Sequence, residues 1–320
     1  MNNTKINSTN KINGAVFFVD ILGFGALTRN KIELEAIHYK AWNKTNEEKN
    51  NQFLAMNLLK KFRNNLIQIN KNYSHVKVAQ LSDCAFIWSE NISEVILFVN
   101  NFMTRAIEDG ILCRGGLAYG EILETDDSFN KIGQFILGDA VTRAVELEGK
   151  AKGCRVLIDD EFPSALYEFD KSFSNQIMQL FSPFHNLLDY SIYDEFKWYL
   201  VPHMSKKTNL IHLKDIEKID LTKARLKLAS LLRYSDKFHW NSLSQEGFIH
   251  IRASLDFITD YNYEVINVWH DFRWDAYHEN WEISKNQNRS TSMLSRANEI
   301  IESSQSYKII DINSTINKKW

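Results

Sequence analysis

Four segments of the sequence set charged side chains among apolar residues and glycines. In Phe18-Val19-Asp20-Ile21-Leu22-Gly23-Phe24 an acid ends an otherwise apolar run. A carboxylate so placed loses much of its hydration unless a cation meets it, and a divalent metal ion is such a cation. The Gly23-Phe24-Gly25 turn that follows is able to aim backbone N–H groups at an anion, which makes Gly23 and Phe24 the expected phosphate contacts. The alternative is a solvated acid in a strand-to-turn corner. In Gln80-Leu81-Ser82-Asp83-Cys84 a second acid stands at a turn between two apolar stretches. Aspartate is common in turns, so Asp83 gains meaning only when paired with Asp20 in a two-metal phosphoryl-transfer site. In Cys113-Arg114-Gly115-Gly116-Leu117-Ala118-Tyr119-Gly120-Glu121 the glycines permit close approach, and Arg114 offers a planar fork for phosphate oxygens. An edge arginine on a glycine-bulged strand is the plainer account. The fourth segment, Gly138 to Glu148, reads by itself as an amphipathic helix with Val141, Ala144, Val145 and Leu147 on its apolar face.

The elements that must position these groups alternate. Ala15–Leu22 is a short apolar run bounded by glycines and reads as a buried strand. A helix comes next with Phe53, Met56, Leu59, Phe62, Leu66 and Ile69 on one face, then strands over 76–81 and 84–88 joined by a tight turn. Helix 92–107, strand 112–122, helix 138–150 and strands 155–158 and 193–201 complete the first part. The order β-α-β-β-α-β predicts an α+β, ferredoxin-like sandwich with additions. In that topology the end of the first strand and the central hairpin turn are neighbours, so Asp20 and Asp83 are expected to converge on one cavity. Residues 1–13 read as a flexible N-terminus and 14–203 as the core domain. Residues 204–320 read as a mostly helical extension, with Asp220 as an N-cap and an apolar helical spacing over 248–258.

Composition narrows the function. The chain has 320 residues, 44% hydrophobic and 24% charged, enough to bury a core without disulfides or metals as staples. Lys+Arg is 38 and Asp+Glu 40, a net charge of -2, which argues against a duplex-DNA binder. Three widely spaced cysteines give neither a zinc pattern nor a disulfide framework, and with no apolar leader or membrane-length run a cytoplasmic location is expected. Eleven of the twelve glycines lie between Gly14 and Gly153, which puts the chemistry in the first half.

In this order the four segments resemble the class III nucleotidyl cyclases, whose pattern is F-x-D-x-x-G-F, a G-D or S-D hairpin, R-x-G-[IL]-x-x-G-E and a G-D-A-V-x-x-A-x-x-L-E helix. The likeness spans about 14–201. In detail, Asp20-Ile-Leu-Gly-Phe24, Ser82-Asp83, Arg114-Gly-Gly, Ala144-x-x-Leu147-Glu148 and Asp194-Glu-Phe-Lys-Trp198 are similar to the bacterial pyrimidine cyclases of the Pycsar anti-phage system. That resemblance implies a homodimer converting UTP or CTP into 3′,5′-cyclic UMP or CMP, with UTP favoured. Two Mg²⁺ or Mn²⁺ ions would be held by Asp20, Asp83 and the carbonyl of Ile21, with sites shared between subunits. The product would act on a separate effector, often a membrane or TIR-domain protein.

The departures from purine cyclases bear on substrate. Those enzymes carry a lysine and an aspartate on the purine edge, where this chain has Ala79 and Phe135. A pocket without both cannot read adenine that way, and Phe135 adds bulk against a smaller ring. Tyr39 is the third base-side residue the resemblance implies. Where the purine enzymes place Asn and Arg on the late helix, this chain has Thr142 and Glu146. A glutamate cannot neutralise a triphosphate, so Arg114, with Lys197 second, is the expected replacement, and Arg143 lies about 100° round the helix from that position. A purine cyclase with unusual base contacts and an inactive nucleotide-binding module are the alternatives.

Overall fold

The computed structural model describes residues 9–42, 50–125, 135–186, 189–206, 208 and 210–260. Its elements run β1 (Thr9–Ile21), α1 (Phe24–Thr28), α2 (Ala36–Lys40), α3 (Asn51–Asn70), β2 (Lys77–Leu81), β3 (Cys84–Ser89), α4 (Ile92–Asp109), β4 (Cys113–Thr125) and β5 (Ile136–Leu137). They continue with α5 (Asp139–Glu148), β6 (Val156–Ile158), α6 (Phe162–Phe169), α7 (Lys171–Ile177), β7 (Phe181–His185), β8 (Ile192–Phe196), α8 (Asp215–Tyr234) and α9 (Gln245–Thr259). One mixed sheet has the order β2-β3-β1-β4-β6-β8-β7, with β5 paired to β4. The first four strands in that order are each antiparallel to their neighbours, the split β-α-β arrangement expected from the sequence, and β4 and β6 are parallel. The chain is an α+β protein.

The strand period of two sorts the core into two layers. Ala15, Phe17 and Val19 of β1, Ala85 and Ile87 of β3 and Leu117 of β4 face the main cluster under α3 and α4. Val16, Trp88, Ala118 and Ile122 face a smaller cluster closed by Ala140, Val141 and Ala144 of α5. The paired glycines of β4 are explained here. A Cβ on Gly116 would overlap the carbonyl of Ala144, and one on Gly115 would strike the Phe17 ring. Their close approach is thus to α5 and to β1, where the sequence pattern suggested a ligand.

Several bounds differ from expectation. Thr9–Asn13, assigned to a flexible terminus, pair with Glu121–Thr125; only Ile12 among them is apolar, half-buried against the smaller cluster, and the other four side chains are polar and exposed, too weak a signal for a strand. The strand expected over 193–201 ends at Phe196 and continues as a 3₁₀ turn, Trp198–Leu200. Helix α8 begins at Asp215, so Asp220 lies inside it rather than at its cap. Side-chain caps stand instead at Asn50 and Asn91, which accept from the N–H groups of Phe53 and Glu94. The main cluster includes Leu228, Leu232, Phe238, Trp240 and Phe257, so it runs unbroken across residue 203. Trp269, Trp274, Trp281 and the Asn/Ser-rich tail lie outside the described residues. Among the described residues no helix is long and apolar enough to cross a membrane.

Candidate functional site

At the C-terminal end of β1 the register sets Asp20 opposite Cys84 of β3 on one side and Arg114 of β4 on the other. All three belong to the even-numbered series that faces α5. Asp83 occupies the two-residue turn between β2 and β3, where Ser82 takes a left-handed φ of 56°. The turn is tied to β1, because the Ile21 N–H donates to the Asp83 carbonyl at 3.0 Å. The next N–H, of Leu22, donates to the Leu112 carbonyl at 2.8 Å. Gly23 then turns the chain at φ 82°, a conformation that suits glycine, and α1 begins.

Glu148 joins this group from the last turn of α5. Its carboxylate pairs with Arg114 Nε, and Arg114 Nη1 donates to the Ala151 carbonyl at 3.2 Å. The arginine fork is therefore partly occupied from within the chain. Asp20, Asp83 and Glu148 thus bring three carboxylates to this corner, with Arg114 paired to Glu148. Burial first, then the charges of Glu148 and Asp83, push the Asp20 carboxyl up to about 7, against the opposing pull of Arg114. Burial and the same three carboxylates push the Cys84 thiol up to about 11. The sequence motifs did not single out Glu148 as a member of the site. The signal was its spacing from Ala140 and Ala144, the i, i+4, i+8 row that α5 lays on the sheet.

The remaining expected residues are spread out. Lys197 follows β8, three strands from β1 at the same end of the sheet, about 14 Å away at ~4.8 Å per strand. Ala79 faces the smaller cluster from β2. Phe135 is 55% exposed and bonds through its backbone to Thr125, at the end of β4 opposite Arg114. Arg114 and Thr125 are eleven residue steps apart along β4, about 36 Å if straight. Tyr39 is buried in the main core, its hydroxyl 3.5 Å from Asn51 Oδ1, rather than folded over the Asp20 cluster. On α5, Thr142 is exposed and bonds back to the Gly138 carbonyl. Arg143 is engaged by Asp139, Asp159 and Glu161 and by the Tyr119 carbonyl, so it does not stand in for the missing cation. Glu146 lines a separate cleft of about 350 Å³ with Lys150, Asp159, Asp160, Tyr193 and Asp194.

Among the described residues no group of three or more His, Cys, Asp or Glu is arranged around one metal position. Asp20 and Asp83 with a backbone carbonyl make a smaller set, and Mg²⁺ commonly takes one or two carboxylates and fills its shell with water and substrate phosphate.

No family model matches the sequence, and neither does any curated protein. Among solved structures, the chain is similar to a dimeric guanylyl cyclase domain of the RhoGC fusion protein from the aquatic fungus Blastocladiella emersonii. Identity is 16%, coverage 59% of this chain and 97% of that one, and TM-score 0.42. It is similar to the adenylyl cyclase CyaB from P. aeruginosa at 17% identity, 59% and 95% coverage and TM-score 0.38. A guanylate cyclase domain from Catenaria anguillulae in complex with GTP matches at 15% identity, 58% and 96% coverage and TM-score 0.39. Likenesses this distant bear on neither activity nor substrate.

Proposed function

We propose that the chain is a nucleotidyl cyclase that converts UTP or CTP into the 3′,5′-cyclic nucleotide and pyrophosphate. The observation that carries this reading is the convergence of Asp20 and Asp83 at one end of the sheet, bound through the Ile21 N–H and the Asp83 carbonyl. The residues present fit divalent ions. Burial first, then the charges of Glu148 and Asp83, hold the Asp20 carboxyl up near 7 against the pull of Arg114, and a divalent cation would relieve both causes. Asp20, Asp83 and the Ile21 carbonyl would hold two Mg²⁺ or Mn²⁺ ions. Such ions acidify a ribose 3′-OH and offset the charge that develops on pyrophosphate.

The chain's own residues position and neutralise. The Gly23 and Phe24 N–H groups stand at the turn directly after Asp20, and the first N–H groups of a helix have no intrahelical partner. Arg114 presents what remains of its fork beside Asp20, and Lys197, three strands away at the same end of the sheet, would reach only the far phosphates. The 3′-OH would give up its proton to solvent as its oxygen attacks the α-phosphorus in line, while the bond from that phosphorus to the α,β-bridging oxygen breaks and pyrophosphate leaves with the bond's electron pair. Ala79 and Phe135 would flank the base. Phe135 lies at the far end of β4 from Asp20, so the two serve one nucleotide only if a second copy of the chain supplies one of them. A C2 dimer with two equivalent sites meets that condition. A role in anti-phage signalling through a separate effector follows from the motif resemblance alone.

Incubation of the protein with each of the four NTPs and Mn²⁺, followed by mass spectrometry, tests the proposal. Cyclic UMP or CMP is expected, and lost with Asp20→Ala or Asp83→Ala in folded protein. Cyclic AMP or GMP as the main product selects the purine reading. One observation favours an inactive binding module, namely that Arg114 is engaged by Glu148, while by the motif resemblance Glu146 replaces the arginine of the purine enzymes. Nucleotide binding without any cyclic product would establish that reading.

A further inference from the structure

Beyond residue 203 the chain forms a helical hairpin, α8 and α9, joined by a segment with two short 3₁₀ turns, Asp236–Phe238 and Asn241–Leu243. This hairpin touches three turns, all at the sheet end that carries Asp20. The first is the turn after Asp20. Asn241 Nδ2 donates to the Leu22 carbonyl at 3.4 Å, and the Trp240 ring lies 3.4 Å from where a Gly23 Cβ would stand. Trp240 and Asn241 are each 1% exposed. The second is the turn before Arg114. Lys237 Nζ donates to the Asp109 carbonyl at 3.2 Å, and its stem covers the left-handed Gly110. The third is the loop that anchors Arg114. His250 Nδ1 accepts from the Gly153 N–H at 3.0 Å, and Ser254 Oγ accepts from the Cys154 N–H at 2.9 Å. Ala151, whose carbonyl holds Arg114, stands in that loop.

Packing alone needs no polar contact at any of these turns, yet the buried Asn241, His250 and Ser254 bond backbone atoms at the first and third, and the half-buried Lys237 does so at the second. The contacts with Leu22, Gly153 and Cys154 fix main-chain groups two or three residues from Asp20 or from the carbonyl that orients Arg114. We propose that Asn241, His250 and Ser254 are positioning residues for the candidate site. The hairpin sets the separation of Asp20, Asp83 and Arg114, and the site is competent only when the hairpin is docked. The inference rests on the metal-binding reading of that site.

The test uses the full chain and Mn²⁺ alone, titrated by electron paramagnetic resonance well below the unfolding temperature, with Asp20→Asn as control. His250→Leu and Asn241→Leu remove a polar contact at similar volume, while His250→Asn keeps an acceptor near the Nδ1 position. Second-layer partners of metal ligands typically tune affinity by 10–100-fold, so roughly tenfold weaker Mn²⁺ binding is expected for both Leu variants, with recovery in His250→Asn. Ser254→Ala and Asn241→Ala are smaller changes that serve if the Leu variants do not fold, with weakening in the same direction expected. Unchanged Mn²⁺ affinity in folded variants, when Asp20→Asn has lost binding, overturns the inference and leaves the site standing. Equal Mn²⁺ binding by the parent chain and Asp20→Asn overturns the metal reading, and this inference with it.

Discussion

Replacing Asp20 with Asn in the metal-free protein should stabilise the fold. The exchange keeps the shape of the side chain and removes a charge that the site disfavours. In the unfolded chain the Asp20 carboxyl titrates at its ordinary 3.8, and in the folded chain it is pushed up to about 7 by burial and by Glu148 and Asp83. The folded state therefore binds the proton more tightly, and stability falls as pH rises from about 4 to about 7, then levels off. At ~1.4 kcal/mol per pKa unit the full shift sets a ceiling of ~4 kcal/mol. The side chain is only partly buried, so screening reduces this to ~1–2 kcal/mol at pH 8 and less than ~0.5 near pH 4.5. For a chain of this size the gain at pH 8 reads as roughly 2–6 °C in Tm. Calorimetry in EDTA at pH 4.5 and pH 8 measures it. Added Mn²⁺ should stabilise the parent at pH 8 and leave Asp20→Asn unmoved. A Tm gain equal at both pH values, or a loss at pH 8, refutes the charge-crowding account of the site.

Three further outcomes are expected from the same geometry. Glu148→Gln removes the largest charge acting on Asp20, so the pH midpoint of Mn²⁺ binding should move down, as isothermal titration across pH 5–8 would record. Gly116→Ala drives a methyl into the Ala144 backbone, and a loss of roughly 3 kcal/mol or more, or failure to fold, is expected in urea melts. Glu124 accepts from Trp88, Lys77 and Asn10 at the other end of β4; Glu124→Ala strands the buried indole N–H and should cost ~2–4 kcal/mol in the same melts while Mn²⁺ affinity stays as in the parent.

The sequence exposed most clearly what local chemistry forces. An acid closing an apolar strand, a Ser-Asp turn between two strands and glycines beside an arginine each carry a short-range cause, and β1, β2, β3 and β4 stand close to where those causes put them. What escaped depends on long-range packing. Gly115 and Gly116 look the same in sequence whether a ligand or a helix approaches, and only the seating of α5 decides. Tyr39 carries no mark separating a core tyrosine from a binding one. Phe135 and Asp20 are both expected at the site yet end up beside opposite ends of β4, because that strand is 13 residues long.

The hairpin contacts change how the chain's two parts relate. A boundary at residue 203 makes α8 and α9 an appendage, yet the turn after Asp20 is capped by Trp240 and Asn241, and the loop that holds Arg114 by His250 and Ser254. The carboxylate strand cannot shift without disturbing α8 and α9, nor can those helices move without freeing Leu22 and Gly153. Two adjacent side chains of the joining segment keep buried polar atoms, Trp240 Nε1 and Asn241 Oδ1, without a hydrogen-bond partner among the described residues. Such groups oppose burial, so docking here gives up part of its packing gain, and a hairpin held this way separates at lower cost than an apolar one would. Any event that lifts the hairpin would reach Asp20 and Arg114 together, since the turn after Asp20 and the loop that holds Arg114 are both hydrogen-bonded to it.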